Sequence, residues 1–575
     1  MLKITLENFN GIIVDDTQVC SRAKDPIPEA ISHGLIVPLC LKPYMANIVE
    51  HYSTEILNST FFSSWEKIRT MRREEIAIQQ IMHYLTSYGK LLGDDYIYIP
   101  EKKEIIFPPP IKFKVVRAMT KEDVLDRCVA MVNSGITMGS KLQEDILTCF
   151  LQLKFNEYDK IHANREMTVH LYNMRKEYPT NEMLYMSLLL LKSINETCII
   201  KSKQMIEKIK ASNYDTSQDM RHIPVEKLAK IFYRLKPIFL AFKHSHSNNK
   251  HWINTIRRKA QKYHTPLQPD ILSNVVLASE AELVSSLKTA TPFRLCRILQ
   301  ALSIDSSKRL YNIRNGKSFI KDHSQPTNIP THLGIIKSNL IDRVKACKVI
   351  FPDTIEFGLP SSEKLFCGAI PTFTKYTFTD TAYIGISWKQ AKDLDLFCIG
   401  GTHKVGWNRN FSVPGITYSG DMTCSNSSEF FEITPSLTEP ALICVNIYSG
   451  DPGCEMDVII AEDKQVDMHK NYMVDPNKIL SKFTTSLPTK NHVIGIIIPQ
   501  EGKLVFTLLN RSFAKYSNDD LMGSLRQYFV DLVTSNLPSL KEILLQGGCE
   551  EVEPGTVGAI DLTNPDKSTI ISLFE

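Results

Sequence analysis

The spacing of apolar residues changes at about residue 346. Over residues 113–345, apolar positions recur every three or four residues, which predicts helices. Beyond residue 346, apolar and polar positions alternate in short segments separated by Gly, Pro, Asn and Ser, which predicts strands. The pattern predicts a multidomain α+β protein, with an α/β unit, a helical middle and a C-terminal β-sandwich.

The first 112 residues mix both patterns, and we interpret them as an N-terminal α/β domain. Residues 1–10 alternate like a strand, and Asn10-Gly11 is a tight-turn pair. A helix is predicted over residues 65–88, ending at Gly89. Three consecutive prolines at residues 108–110 close the domain, because proline continues neither a helix nor a central strand.

Residues 113–345 predict an α-helical, repeat-like domain, although no period identifies a known repeat. Its first helix begins with a capping box from Thr120 to Asp123. Further helices are predicted over Lys141–Leu153, Glu182–Ser193, Val225–Phe242 and Asn254–Tyr263. One interruption, centred on Asn315-Gly316, is typical of a hairpin with a two-residue turn.

Residues 346–575 predict a β-sandwich followed by two helices. The predicted strands are Tyr383–Trp388, Leu394–Cys398, Ile416–Ser419, Leu442–Tyr448, Val458–Ile460, His492–Ile498 and Leu504–Asn510. The first closing helix starts from a capping box at Ser517, and the second covers Leu540–Leu545 and stops at Gly547-Gly548.

Composition and charge narrow the class of protein. The chain has 575 residues, 43% of them hydrophobic and 23% charged, which excludes a mainly disordered or fibrous protein. The net charge of +4 conceals an asymmetry. Residues 351–575 hold 17 basic and 28 acidic residues, whereas residues 1–350 hold 50 and 35. The two portions therefore face different partners, or each other.

Cysteine usage and the N-terminus predict a cytoplasmic protein without a membrane segment. The 13 cysteines never form a Cys-x-x-Cys pair, which is typical of reduced thiols inside a cell. The N-terminus lacks the features of a signal peptide, and the longest apolar run, residues 183–191, is about half of a membrane span. No phosphate loop, nucleophile elbow, zinc-protease motif or dinucleotide fingerprint occurs, so we predict that the protein is not an enzyme.

Two acidic clusters are the strongest candidates for chemistry. In a strand, Asp393 and Asp395 share one face while the leucines between and after them point the other way. Asp421 and Glu429 flank a Gly- and Ser-rich loop. Carboxylates from two segments at one end of a sandwich suit calcium, which prefers hard oxygen ligands. The alternative is that all four are solvated surface carboxylates.

These motifs also resemble a known family, the TerD domain of tellurium-resistance and stress proteins. The resemblance covers residues 355–510 and rests on Ala382-Tyr-Ile-Gly-Ile-Ser-Trp388, Lys392-Asp-Leu-Asp-Leu, Gly406-Trp-Asn408, Ile416-Thr-Tyr-Ser-Gly-Asp421, Glu429-Phe-Phe-Glu and Ala441-Leu-Ile-Cys-Val-Asn-Ile-Tyr448. It implies a calcium-binding β-sandwich in bacterial or phage proteins linked to stress. It also implies that Asp393, Asp395, Asp421 and Glu429 are metal-binding acids, and it matches Asn408 to a recurring Asn.

The chain departs from this family in one respect. Family members usually carry several acids before the closing Glu, whereas residues 422–428 contain none. Because fewer charges weaken calcium binding, we expect a calcium site that is either weak or vestigial, and no second site.

A basic run suggests a different function. Residues 227–269 contain no Asp or Glu, but ten Lys and Arg with aromatic residues between them. Such a composition suits phosphate neutralisation and base stacking on single-stranded RNA. The candidate nucleic-acid-binding residues are Arg257, Arg258, Lys259 and Lys262. The alternative is a solvated helical face, or one that docks on the acidic C-terminal portion.

Three hypotheses follow. The first is a non-enzymatic, calcium-binding TerD-like scaffold or interaction protein of bacterial or phage stress response, which associates with protein partners or with itself. The second is an RNA-binding protein that uses the basic helical middle. The third is a structural assembly subunit of a phage or bacterium.

Overall fold

A computed structural model gives the fold. It describes residues 1–15, 26–52, 113–157, 203–213, 224–233, 236–263, 278–288, 290–304, 308–312, 318–322, 329–400, 403–407, 410–464, 474–513 and 519–574, with isolated positions between them. The fold is α+β, as predicted, with a β-rich C-terminal region. No helix within these ranges is long and apolar enough to cross a bilayer.

The N-terminal unit consists of short helices and two pairs of parallel strands. Its elements are α1 Leu2–Phe9, β1 Gly11–Ile13, α2 Pro28–Ile31, β2 Leu35–Ile36, a 3-10 helix Leu39–Tyr44, α3 Met45–Tyr52, β3 Lys114–Val115 and β4 Arg117–Met119. Strand β1 pairs with β4, and β2 pairs with β3. Because β3 and β4 follow residue 112, the strand pairs of the N-terminal unit extend beyond the boundary predicted at that residue. The domain boundaries themselves stay predictions.

The strand predicted for residues 1–10 is wrong, because this segment forms helix α1. Leu2, Ile4 and Leu6 alternate as in a strand, but Leu2, Leu6 and Phe9 have the i, i+4, i+7 spacing of one helical face, and Leu6 and Phe9 are buried. Asn10 ends the helix in the left-handed conformation, with φ of 47°. The Asn-Gly pair thus caps a helix instead of closing a hairpin.

Two longer helices follow this unit: α4 Lys121–Asn133 and α5 Ser140–Gln152. The predicted capping box is confirmed, since the Asp123 amide donates to Thr120 Oγ1 and the Thr120 amide donates to Asp123 Oδ2. Val124, Cys128 and Val132 are buried, and so the helical spacing predicted for α4 is confirmed as well.

The helical middle separates into two groups. Its elements are α6 Lys203–Ala211, α7 Val225–Ile231, α8 Lys236–Ser245, α9 Ser247–Ala260, a 3-10 helix Gln261–Tyr263, α10 Glu280–Leu287, α11 Pro292–Ser303, β5 Lys308–Asn312, β6 Ser318–Asp322 and α12 Ile329–Ile341. Helices α6–α9 share a core of their own, whereas α10–α12 contribute to the large core of the molecule. The predicted helix at residues 182–193 lies outside the described residues, and the described positions between Glu74 and Leu85 are helical.

One prediction in this region was wrong in detail. The helix expected over Val225–Phe242 is divided into α7 and α8, because Pro237 lacks an amide hydrogen and fits only the first turn of a helix. The predicted hairpin is confirmed in strands β5 and β6, where Asn312 pairs with Ser318. Its turn at Asn315-Gly316 lies outside the described residues.

Two antiparallel sheets form the predicted sandwich. The six-stranded sheet has the order β13 Ser412–Val413, β14 Ile416–Tyr418, β15 Ser427–Ile433, β10 Thr381–Trp388, β17 Glu455–Asp463 and β18 Ile479–Ser486. The seven-stranded sheet has the order β12 Lys404–Val405, β11 Asp393–Ile399, β16 Ala441–Ser449, β19 Asn491–Gln500, β20 Lys503–Phe513, β9 Lys375–Phe378 and β8 Ile355–Glu356. All seven predicted strands are confirmed, and side chains from both sheets share one core.

The C-terminal elements cover one face of the sandwich and then pack against the N-terminal helix. The elements here are β7 Lys348–Ile350, α13 Asp519–Thr534, α14 Leu540–Gln546, β21 Glu550–Glu551, β22 Ile560–Asp561 and α15 Lys567–Ile571. Helix α13 packs Leu525 and Phe529 against Phe397 and Leu442 on the outer face of the seven-stranded sheet. Strands β21 and β22 pair in parallel with β7, and α15 packs on α1.

Candidate functional site

Asp393 and Asp395 lie at the start of β11 and are both buried. Leu394 and Leu396 point into the core between the sheets, as the alternation predicts. Burial of both aspartates contradicts the alternative of solvated surface carboxylates. The register shifts between Asp393 and Leu394, so a β-bulge lies beside the first aspartate.

Asp421 comes from the other sheet, in the loop that joins β14 to β15. Gly420 precedes it with φ of 106°, a conformation that residues with a Cβ rarely adopt. The Phe430 amide donates to Ser419 Oγ at 2.9 Å, and the Ser419 amide donates to the Phe430 carbonyl, so the loop base is held from two sides. Trp388 Nε1 donates to the Cys424 carbonyl at 3.2 Å and holds the distal part.

These three carboxylates converge. One carboxylate oxygen of each of Asp393, Asp395 and Asp421 lies within 4.8 Å of those of the other two. Three buried negative charges at this separation repel one another, and a bound cation relieves that repulsion. The group contains only oxygen donors. This donor set suits a hard divalent cation such as calcium better than zinc, which favours nitrogen and sulfur ligands.

Clustering and burial of these carboxylates disfavour the ionised form of Asp395. Burial and, to a lesser degree, the charge of Asp393 raise the pKa of Asp395 to about 7. A hydrogen bond from Asn446 Nδ2 to Asp395 Oδ2, at 2.9 Å, and the charge of Lys404 act in the opposite direction. Without a cation, Asp395 is therefore partly protonated at neutral pH.

Glu429 occupies a different position. Its Oε2 accepts the amide of Leu396 at 2.7 Å, and its Oε1 accepts the amide of Met422 at 2.9 Å. Burial, followed by the charges of Asp421 and Asp395, raises the pKa of Glu429, while the two amides lower it. Glu429 therefore bridges β11 to the loop behind the three aspartates. A direct contact between Glu429 and a cation stays a prediction.

Sequence reasoning missed one contributor, Asn446. It lies opposite Asp395 on β16 and orients that carboxylate. The strand that contains Asn446 was predicted, but the pairing that places it beside Asp395 depends on the register of two strands about 50 residues apart, which the sequence does not show. Asn408, the recurring Asn of the motif, lies outside the described residues.

Comparisons with known proteins add little. No protein-family model and no curated protein matches the chain. The solved structure of SCO6318 from Streptomyces coelicolor A3(2), a homologue of telluride resistance protein (TerD), is 12% identical, with a TM-score of 0.18, and the match covers 25% of this chain and 95% of that one. The protein SAV2460, of unknown function, is 9% identical, with a TM-score of 0.19, covering 25% of this chain and 94% of that one. Similarity at this level leaves the function to be argued from the chain itself.

The four candidate nucleic-acid-binding residues are exposed along one helical segment. Arg257, Arg258 and Lys259 lie in the last turn of α9, and Lys262 lies in the 3-10 helix that follows. The opposite side of α9 buries Ile253 and Ile256. Lys259 forms an ion pair with Glu226 of α7, just before the acid-free run. Glu226 thus partly neutralises one of the four positive charges.

Proposed function

We propose that this chain is a non-enzymatic scaffold or interaction protein of the TerD-like stress-response type, and that its sandwich binds calcium through Asp393, Asp395 and Asp421. The observation that carries the proposal is the convergence of three buried carboxylates from two separate segments. Uncompensated buried charges cost several kcal/mol each, and so burying three together suits a site that a cation completes. The motif resemblance at the same residues supports this interpretation.

Calcium would supply positive charge and connect two parts of the sandwich. Asp393 and Asp395 belong to β11 of the seven-stranded sheet, while Asp421 belongs to a loop of the six-stranded sheet. A cation held by all three would therefore fix this loop relative to β11. The exposed residues 424–426 of the loop would then be held by the cation as well as by the Trp388 hydrogen bond, and we propose that partner binding depends on calcium in this way.

Calorimetric titration of the full chain, stripped with a chelator, tests the site. We expect the wild type to bind calcium and Asp421→Asn to bind about tenfold more weakly or worse, because affinity falls as ligand charges are removed. Asp353→Asn is the matched control, since Asp353 is exposed and lies outside the cluster. A wild type that shows no calcium binding, or an Asp421→Asn variant that binds like the wild type, contradicts the proposal.

We propose binding of single-stranded RNA as a second candidate function, supported by the exposure of Arg257, Arg258 and Lys262 on one segment. These side chains would contact phosphates, so affinity would depend little on base sequence.

Replacing Arg257, Arg258 and Lys262 together by Ala is expected to lower RNA affinity. The slope of the logarithm of the binding constant against the logarithm of the salt concentration should also become shallower by ~0.7 for each phosphate that is no longer neutralised. Lys259→Ala should have a smaller effect than any of the other single replacements, because Glu226 already pairs with Lys259. Filter binding of a fluorescent oligonucleotide over a salt series measures both quantities. Unchanged binding in the triple variant would assign the basic segment to solvent or to an intramolecular contact.

A further inference from the structure

We propose that Cys347 and Cys549 form a peroxide-sensitive thiol pair, and that its oxidation to a disulfide joins the two ends of the segment that carries the sandwich. The two Sγ atoms are 3.5 Å apart, although 202 residues separate them along the chain. Both cysteines are free thiols in this structure. The pair lies in the parallel sheet that precedes and follows the sandwich and is independent of the proposed calcium site.

The backbone already places the two residues correctly for a disulfide. Glu550 pairs with Lys348 in parallel register. Cys549 and Cys347 each directly precede these residues and therefore lie opposite each other at the start of β21 and β7. The Glu550 amide donates to the Cys347 carbonyl at 2.9 Å and fixes this alignment. Neighbouring strands lie about 4.8 Å apart, within the Cα separation that disulfides span. Side-chain rotation is therefore enough to bring the sulfur atoms into bonding distance.

The hydrogen bonds define the resting state of the pair. Cys549 Sγ donates to the Lys345 carbonyl at 3.4 Å, and so Cys347 donates its own hydrogen to Cys549 Sγ. Burial and this hydrogen bond raise the pKa of Cys347 to about 12. Cys347 is thus a thiol at neutral pH, and because the thiolate is the reactive form, we expect oxidation only when peroxide is in excess.

The reaction proceeds in two balanced steps. Cys347 is half-buried and the more accessible of the two, so its thiolate attacks one oxygen of hydrogen peroxide. The O–O bond breaks, hydroxide leaves and takes up the thiol proton, and Cys347 becomes a sulfenic acid. The Cys549 thiolate then attacks Sγ of Cys347, and the second oxygen leaves as water after gaining the Cys549 proton. Two thiols and one peroxide give one disulfide and two water molecules.

The disulfide would close a covalent ring around a large part of the fold. The ring includes strands β8–β20 and helices α13 and α14. Cross-linking across a long loop restricts the unfolded chain and favours the folded state. It would also fix β21 to β7, and with it the start of the segment that leads to α15. Oxidation is therefore expected to stabilise the sandwich and the C-terminal segment together.

Treatment of the reduced full-length protein with excess hydrogen peroxide, followed by non-reducing peptide mapping, tests the pair directly. We expect the main product to contain a Cys347–Cys549 linked peptide and an intact mass lower by two hydrogen atoms. The melting temperature should rise by roughly 5–10 °C and return to its starting value with dithiothreitol.

Cys347→Ser is the test variant, and Cys424→Ser is the matched control because Cys424 is an exposed thiol away from the pair. Cys424→Ser should retain the linked peptide and the temperature shift, whereas Cys347→Ser should lose both. Peptide mapping of the wild type keeps the test valid even if Cys347→Ser does not fold. A wild type that accumulates sulfinic acid or intermolecular disulfides, without the linked peptide, overturns the proposal.

Discussion

Asp393→Asn is expected to have opposite effects on stability without and with calcium. In chelator, the variant should be more stable than the wild type, because it removes one of three mutually repelling carboxylates. In saturating calcium the order should reverse. A wild type at a hundredfold excess of calcium over Kd gains ~2.7 kcal/mol of unfolding free energy, and the variant loses most of that gain. Thermal unfolding in chelator and in calcium measures both differences.

The same cluster predicts how stability depends on pH in chelator. The pKa of Asp395 is raised from 3.8 to about 7 in the folded state, so this carboxyl binds more protons when folded. Its contribution to stability is complete below pH 3.8 and is lost as pH rises through about 7, amounting to roughly 4 kcal/mol at about 1.4 kcal/mol per pKa unit. Calcium should abolish this loss, since the bound cation stabilises the ionised form.

Asp353→Asn again provides the control and should be neutral in every condition, because Asp353 is exposed. Two results would count against the site. One is an Asp393→Asn variant that is less stable than the wild type in chelator, which would assign Asp393 a purely structural role. The other is a wild type whose unfolding curve is the same in chelator and in millimolar calcium.

Glu429→Leu is expected to destabilise the protein by roughly 2–5 kcal/mol, with or without calcium. The substitution leaves the amides of Leu396 and Met422 buried without their carboxylate acceptor, and each unsatisfied amide costs about 1–3 kcal/mol. This result would distinguish a bridge between two backbone segments from a metal ligand. Chemical denaturation at neutral pH, in chelator and in calcium, measures the difference.

Glu429→Gln should show an intermediate effect, because its carbonyl oxygen still accepts one amide while its NH2 group faces the other. Glu439→Leu is the matched control, since Glu439 is an exposed glutamate that follows the same strand. Its effect should stay within about 0.5 kcal/mol. If Glu429→Leu behaves like this control, the two hydrogen bonds contribute little. A destabilisation confined to the calcium-bound protein would instead make Glu429 a ligand.

The sandwich could be predicted from sequence because its strands are short apolar segments separated by turn residues. In β11 the acids alternate with leucines, whereas β10 and β16 are apolar and buried along most of their length, and their short length between turn residues identifies them as strands. Helix α1 could not be predicted in this way, since Leu2, Ile4 and Leu6 alternate as in a strand while Leu2, Leu6 and Phe9 have helical spacing, and the packing of α1 on β1 and α15 is not visible in the sequence. The two parallel strand pairs of the N-terminal unit were also missed, because each joins residues far apart in sequence.

The candidate site was predictable only in part. Sequence identified Asp393, Asp395 and Asp421, because alternation and the motif place acids at one end of the sandwich, and these three converge. It did not reveal that Glu429 accepts two backbone amides, or that Asn446 orients Asp395. Glu429 can accept the Leu396 amide because β12 pairs only with the end of β11, at Cys398 and Ile399. Asn446 reaches Asp395 because of the register between β11 and β16. Both are properties of the folded sheet that the sequence does not show.

The contact between the two ends of the fold also has a consequence during translation. Arg117 Nη1 donates to Asp566 Oδ2 at 3.1 Å, and the Asp566 side chain is fully buried beside α15. The two residues are 449 positions apart. At ribosomal rates of about 5–20 residues per second, Arg117 is synthesised about 20–90 s before its partner. During that interval the face of the N-terminal unit that later meets α15 is uncovered, and a chaperone that binds nascent chains would have time to occupy it.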